Sequence, residues 1–320
     1  MPESSTPLTL SPSPHIHTAE STRKLMGEVL LALCPAIAAA GVLFGGRALL
    51  LIAVCVAGCV ASEFVTRRLL RRPDTIGDLS AAVTGVILAL NLPVTLNPLF
   101  ALIGSVAAIV VVKQLFGGLG QNFVNPAATA RVILLVSFPA AMSKWVVPFY
   151  YRTGTLADAV TTATPLASGD TDCLRLFLGT HGGCIGETCA LALLIGGVYL
   201  MLRRVISPVI PLCFLGTLAL LTWALGGNGA AAVLSGGAML GAFFMATDYV
   251  TSPVTFGGKF LFGIGCGLIT VLIRRFGALS EGVSYAIVLM NVLTPHIERL
   301  TMPRAFGTAR EPKSKGGAAQ

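Results

Sequence analysis

Apolar segments follow one another along almost the whole chain, and polar residues are confined to the breaks between them. A bilayer core about 30 Å thick takes about 20 helical residues to cross. Lipid offers backbone N–H and C=O groups no partners, so such segments fold as helices. They run at about 25–44, 49–65, 79–92, 96–112, 125–138, 184–202, 208–225, 230–245, 260–273 and 283–293. Charged residues make up only 11% of the 320, against about 25% in soluble proteins, too few to clothe a water-facing surface of this size. The expected fold is an all-α polytopic membrane protein with about ten transmembrane helices, embedded in the lipid bilayer. The formal charge of +8 does not indicate nucleic acid, because the basic residues lie between apolar segments and in the tails, where orientation signals lie. The first residues are Ser/Pro-rich and polar, so no secretory signal is expected.

Basic clusters set the orientation. Arg67-Arg68-Leu69-Leu70-Arg71-Arg72 is the densest, and Arg23, Lys24, Arg203, Arg204 and the tail from Arg304 to Lys315 fall on the same side by span parity. Cytoplasmic loops carry this excess, so both termini are expected in the cytoplasm of a multi-pass protein of a bacterial inner membrane. Arg274-Arg275 is the exception, falling on the outer side. The expected organisation is a disordered tail at 1–24, five spans in 25–139, one long extracytoplasmic (periplasmic) loop at 140–183, five spans in 184–297 and a basic tail at 298–320.

The chain also resembles itself. A shift of 160 positions pairs Pro93-Val94-Thr95 with Pro253-Val254-Thr255, Phe116-Gly117 with Phe276-Gly277, Leu119 with Leu279 and Gln121 with Glu281. Five crossings per half is an odd number, so the second half enters from the opposite face, giving two inverted five-span repeats. The third and fifth segments are short, and short or broken spans at matching positions point to a midplane site. Asn125-Pro126 offers the fifth a clean start.

Ionisable residues near membrane depth are functional suspects. Asp78 and Asp248 are candidates for an ion path, although each lies near a segment end where a solvated cap explains it. Arg131, inside a short apolar segment, is expected to pair with a carboxylate or carbonyl. The eight cysteines include no C-x-x-C pair, so no metal site is expected. Cys173, Cys184 and Cys189 lie in or beside the long loop; a disulfide there is open, but small buried hydrophobes is the plainer reading.

That loop contains Asp158-Ala-Val-Thr-Thr-Ala-Thr-Pro-Leu166. On composition it is a hydroxyl-rich turn with local hydrogen bonds; the alternative is that one hydroxyl is an attachment point. Pro165 biases Thr164 away from helix, so Thr164 is expected extended at the turn's exposed edge.

Together, Lys113-Gln-Leu-Phe-Gly-Gly-Leu-Gly-Gln-Asn122, Asn125-Pro-Ala127, Gly182-Gly-Cys-Ile-Gly-Glu-Thr188, Met245 through Pro253, Glu281-Gly282 and Met290-Asn291 closely resemble the D subunits of the Rnf-type ion-translocating electron transport complex. That family is related to the B subunit of the sodium-translocating NADH:quinone reductase. The resemblance implies a membrane subunit of a redox-driven Na⁺ or H⁺ pump that relays electrons between partner subunits. It implies an attachment pattern D-x-x-[ST]-G-A-[TS], in which the last hydroxyl forms a phosphoester with FMN made by a separate flavin transferase. Asp158, Thr161 and Ala163 match the motif, Thr164 the acceptor, and Thr162 stands where glycine is usual. A second, non-covalent flavin such as riboflavin is also implied. No catalytic residue is assigned to this chain, and it is not expected to be active alone. The chain lacks a Rossmann-type Gly-rich motif, so nucleotide chemistry belongs to partners. A stand-alone secondary transporter or channel fits the repeats equally well, and a purely structural anchor is a third reading.

Overall fold

A computed structural model describes residues 21–152, 162–168, 172–277 and 281–303. Every regular element among them is helical. The first five apolar helices are α1 (Thr22–Phe44), α2 (Gly46–Leu69), α3 (Ser80–Leu90), α4 (Pro98–Gln114) and α5 (Pro126–Ser137). After the long loop come α6 (Ala190–Leu202) and α7 (Val209–Ala224). The eighth is broken into α8a (Gly229–Leu234) and α8b (Ala238–Leu240, continuing as Gly241–Met245). α9 (Phe256–Phe276) and α10 (Val283–Thr301) end the described chain. By length and composition α1, α2 and α9 can each cross a membrane, while α3 to α7 are shorter apolar helices.

Local chemistry fixes the helix starts. Asn97 accepts from Leu99 N (3.0 Å) and Asn125 from Ala128 N (3.1 Å), each followed by a proline at the first helical position. The side-chain oxygen satisfies an orphan N–H, and proline forgoes one. The sixth helix starts at Ala190, six residues after the expected Cys184. The reason lies in two hydrogen bonds: Ile185 N donates to Leu92 O (3.0 Å) and Gly186 N to Leu90 O (2.8 Å). Those amides satisfy the carbonyl end of α3 instead of opening a helix of their own.

The bundle's outer faces carry exposed Leu31, Leu102, Ile103, Leu212, Leu220 and Leu268, as lipid contact requires. Inside, backbones approach closely. A Cβ at Gly196 would overlap the Ala32 carbonyl oxygen where α1 meets α6, and Gly263 and Gly267 bring α9 against the Ile210 and Phe214 carbonyls of α7. Small residues four apart are how helices gain contact in lipid, where the hydrophobic effect does not separate helix from solvent.

Moved by 160 positions, each of α1 to α5 falls on its counterpart among α6 to α10. α2 packs on α4 as α7 packs on α9, and the counterparts α1 with α6 and α5 with α10 touch each other. The long loop lies over one end of the bundle: Phe149 N donates to Leu43 O (2.6 Å), Tyr151 OH to Val42 O (2.8 Å) and Thr95 Oγ1 to Lys144 O (2.7 Å). Pro93 is at that end. Pro253 is at the other, where Tyr249 OH bonds to Val205 O and Val254 N to Glu298 Oε1.

Candidate functional site

Broken and short helices bring their ends together in the middle of the bundle. Asn91, which closes α3, donates from Nδ2 to Ile87 O (2.7 Å) and lies 3.4 Å from Met245 Sδ. Asn125, at the start of α5, donates to Met245 O (3.1 Å), the end of α8b. Arg131 is buried among these ends. It pairs with Glu281, donates to Asn91 Oδ1 (2.8 Å), and its NH2 lies 3.4 Å from Cys184 Sγ. The expectation that Arg131 meets a carboxylate holds. Glu281 and Cys184 were not foreseen as its companions, because they arrive from segments far along the chain. The Cys184 thiol itself donates to Asn91 O (3.2 Å). Cys184 is a small buried thiol, while Cys173 and Cys189 are only half-buried. Cys184, Glu187 and Glu281 cluster closely enough for a cation, but Arg131 already occupies Glu281.

The break in α8 is held from both sides. Gly236 and Gly237 both have φ of +65°, a left-handed conformation that costs glycine nothing. Arg274 of α9 donates to the carbonyls of Ala232 (2.7 Å), Ser235 (3.0 Å) and Gly236 (3.1 Å). These are the oxygens that a broken helix leaves without partners. A Cβ at Gly236 would overlap both Arg274 and Leu166, and one at Gly237 would meet Arg131 at 3.5 Å. The segment that carries the threonines is therefore seated on the break.

Asp158 and Thr161 lie outside the described residues. Ala163 is exposed, Thr162 is half-buried with its N–H on Trp145 O (3.0 Å), and Thr164 is non-helical and 1% exposed. Thr164 was expected at the turn's exposed edge. Burial instead follows from the docking of Pro165 and Leu166, both lining a cavity of about 320 Å³ with Ala232, Ser235, Arg274 and Arg275. Thr164 Oγ1 is buried and makes no hydrogen bond among the described residues.

A second buried network lies towards the opposite end. Glu63 of α2, fully buried, accepts from Lys113 Nζ (3.0 and 3.1 Å), Gln114 Nε2 (2.8 Å) and Thr75 Oγ1 (2.9 Å), with Arg67 Nε at 3.9 Å. The last turns of α4, Ala107–Gln114, are π-helical, a distortion common at functional sites. Lys113 also donates to Ser80 Oγ (2.6 Å), which donates in turn to Asp78 Oδ1 (2.6 Å). Asp78 also accepts from Ser80 N (2.9 Å), the first residue of α3, and joins Lys113 through one hydroxyl. Glu63 went unnoticed in the sequence because it precedes Arg67-Arg68 and looks like a solvated helix end.

Lys113, Ser80 and Asp248 line a cavity of about 350 Å³ with Ile87, Phe243 and Asn125. Asp248 accepts from Val250 N (3.4 Å) and Thr251 Oγ1 (3.3 Å) in the turn after α8b, and burial pushes its carboxyl pKa up. Neither Asp78 nor Asp248 contacts the Arg131 cluster among the described hydrogen bonds. Each faces the end away from the long loop.

The chain is similar to known proteins along almost its whole length. The family described as NQR2, RnfD, RnfE matches residues 9–307. The D subunit of the Na(+)-translocating ferredoxin:NAD(+) oxidoreductase complex of Acetobacterium woodii is 51% identical over 313 residues, covering 95% of this chain and 96% of that protein. The D subunit of the proton-translocating ferredoxin:NAD(+) oxidoreductase complex of Clostridium ljungdahlii is 41% identical, covering 94% and 97%. The D subunit of the ion-translocating oxidoreductase complex of Stutzerimonas stutzeri is 39% identical, covering 90% and 92%.

Proposed function

The chain belongs to the NQR2, RnfD, RnfE family, and on that premise we propose that it is the flavin-carrying membrane subunit of an ion-translocating oxidoreductase complex. It works with the other subunits, carries FMN as a phosphoester on Thr164 after the action of a flavin transferase, and takes part in moving Na⁺ or H⁺. The observation that carries the reading is Thr164 itself. Its hydroxyl, like that of Thr162, is buried without a partner among the described residues, and the residues directly after Thr164 line a cavity walled by Arg274 and Arg275. A buried hydroxyl without a partner costs about 1–3 kcal/mol, and a cavity with cationic walls suits an anionic phosphoester. FMN, when bound, supplies one- and two-electron transfer, the protein supplying position and electrostatics.

In this reading Thr164 supplies the attachment oxygen, and Pro165 and Leu166 hold it against the α8 break. Arg274 keeps the carbonyls of that break satisfied and Arg131 pairs with Glu281 beside it, so the centre stays ordered. The cavity of about 350 Å³ at the other end has apolar walls, Val83, Ile87, Phe243 and Phe244, and amides at Asn122 and Asn125. Its size and character, within the usual range for small-molecule sites, support a non-covalent flavin such as riboflavin there. The ten apolar helices are read as ten spans in two inverted repeats, supported by the match of all five helix pairs at one offset and by Pro93 and Pro253 lying at opposite ends. The basic clusters then put both termini in the cytoplasm and the long loop in the periplasm. The relatives named for sodium and for protons leave both ions within the reading.

The test is covalent flavin in protein co-expressed with the flavin transferase. Wild type should fluoresce in a denaturing gel, and peptide mass spectrometry should find FMN on Thr164. Thr164→Val should abolish the fluorescence while the protein still inserts; Thr161→Ser and Thr162→Gly should keep it. A flavin-free wild-type protein assembled with its partners would return the lead to the stand-alone transporter reading.

A further inference from the structure

The two outer-face arginines that break the charge rule form no ion pair among the described residues. Arg274 spends its terminal nitrogens on the carbonyls of Ala232, Ser235 and Gly236, and its Nε is buried without a partner. Hydrogen bonds to carbonyls orient a guanidinium but leave its net charge in place. The result is a fixed guanidinium, with the buried Glu187 carboxylate in electrostatic reach, beside the cavity of about 320 Å³ that Pro165, the residue after Thr164, also lines. Positive residues on the outer side oppose the usual orientation bias, and an anion held against them would offset that cost.

We propose that Arg275 is a positioning residue for the phosphoester, pairing with its remaining negative charge, while Arg274 is locked beneath as the structural cation of the helix break. This rests on the attachment of FMN at Thr164 and goes beyond it. The two arginines divide the labour. Arg274 is committed to backbone oxygens and cannot turn to a ligand without exposing them. Arg275, exposed at the cavity rim, is free to do so, and its planar fork fits a phosphate oxygen pair. No bond is made or broken by Arg275.

The experiment uses the assembled complex with the flavin transferase co-expressed, comparing wild type, Arg275→Lys and Arg275→Gln. Covalent occupancy is read by gel fluorescence and intact mass, and the midpoint potential of the Thr164-linked flavin by visible redox titration. Removing a cation beside the flavin disfavours its more negatively charged, reduced form. The glutamine variant should therefore titrate at a more negative potential, or lose occupancy, while lysine stays close to wild type. Equal potentials and equal occupancy in all three proteins would overturn the assignment, as would loss of flavin from both variants, which would make the site a docking contact for the transferase. Wild-type protein without flavin on Thr164 would instead overturn the functional reading on which this one rests.

Discussion

Glu63 and Lys113 form a buried pair whose two partners are unequally supported, and that asymmetry makes a quantitative prediction. Take Glu63→Gln first. Lys113 Nζ has three acceptor contacts, two of them on Glu63 and the third on Ser80 Oγ. The amide keeps one acceptor oxygen but no charge, so an ammonium is left buried without a counter-ion. Stranding one member of a buried pair costs about 3–5 kcal/mol; the surviving acceptors put this case near the low end. Lys113→Met is different. Glu63 keeps Gln114 Nε2, Thr75 Oγ1 and the Arg67 guanidinium, so the loss is that of a charge-assisted hydrogen bond, about 1.5–3 kcal/mol. Glu63→Gln should therefore be the more destabilising by about 1 kcal/mol, about fivefold in the unfolding equilibrium. The double variant should cost less than the sum, by a coupling of about 0.5–3 kcal/mol. Denaturation of a fluorescent fusion in mild detergent, followed by size-exclusion, gives the ranking. Lys113→Met proving equal to or worse than Glu63→Gln would refute the reasoning, since the carboxylate would then not be the centre of the network.

Other expectations follow from single features. Cysteines introduced at Ser168 and Ser207, in a background freed of reactive thiols, should label oppositely with an impermeant reagent; Ser168 reacting only after lysis would contradict the periplasmic loop. Gly196→Ala forces a methyl into the Ala32 carbonyl and should cost about 1–3 kcal/mol through overpacking. Gly216→Ala in α7, where nothing lies within 4 Å, should be neutral or stabilising by up to about 1 kcal/mol of helix propensity; equal melting shifts for the two would remove the close-packing argument. Because burial raises the Asp248 carboxyl above its unfolded value, its ionised form is the costly one in the folded protein. That cost is absent below the unfolded pKa and fully present above the folded one. Asp248→Asn should accordingly gain stability relative to wild type as pH rises through that window, and a melting difference flat with pH would speak against it.

Hydropathy made the helices legible, because lipid leaves a long apolar segment little else to be. The same was true of Asn125-Pro126, whose capping chemistry is local. What could not be read was pairing across distance. Arg131 announced a need for a carboxylate, but nothing near it in the chain identified Glu281. Glu63 seemed solvated because its neighbours are basic, and its burial depends on the π-helical end of α4 delivering Lys113 and Gln114 some 50 residues later. The start of α6 was misplaced for a related reason: the amides of Ile185 and Gly186 serve the end of another helix. Thr164 was expected at the turn's exposed edge because Pro165 keeps it out of helix, whereas its exposure is set by what Leu166 docks against.

Arg274 has one further consequence, and it concerns time. The carbonyls of Ala232, Ser235 and Gly236 leave the ribosome about 40 residues before the guanidinium that receives their hydrogen bonds. Until α9 arrives, a broken α8 in lipid would hold bare oxygens, each costing several kcal/mol. During synthesis the eighth and ninth segments must therefore wait for each other, entering as a pair or lingering where water is at hand. A chain stopped just before residue 274 should fail to settle its eighth helix in the bilayer, and one stopped soon after should succeed.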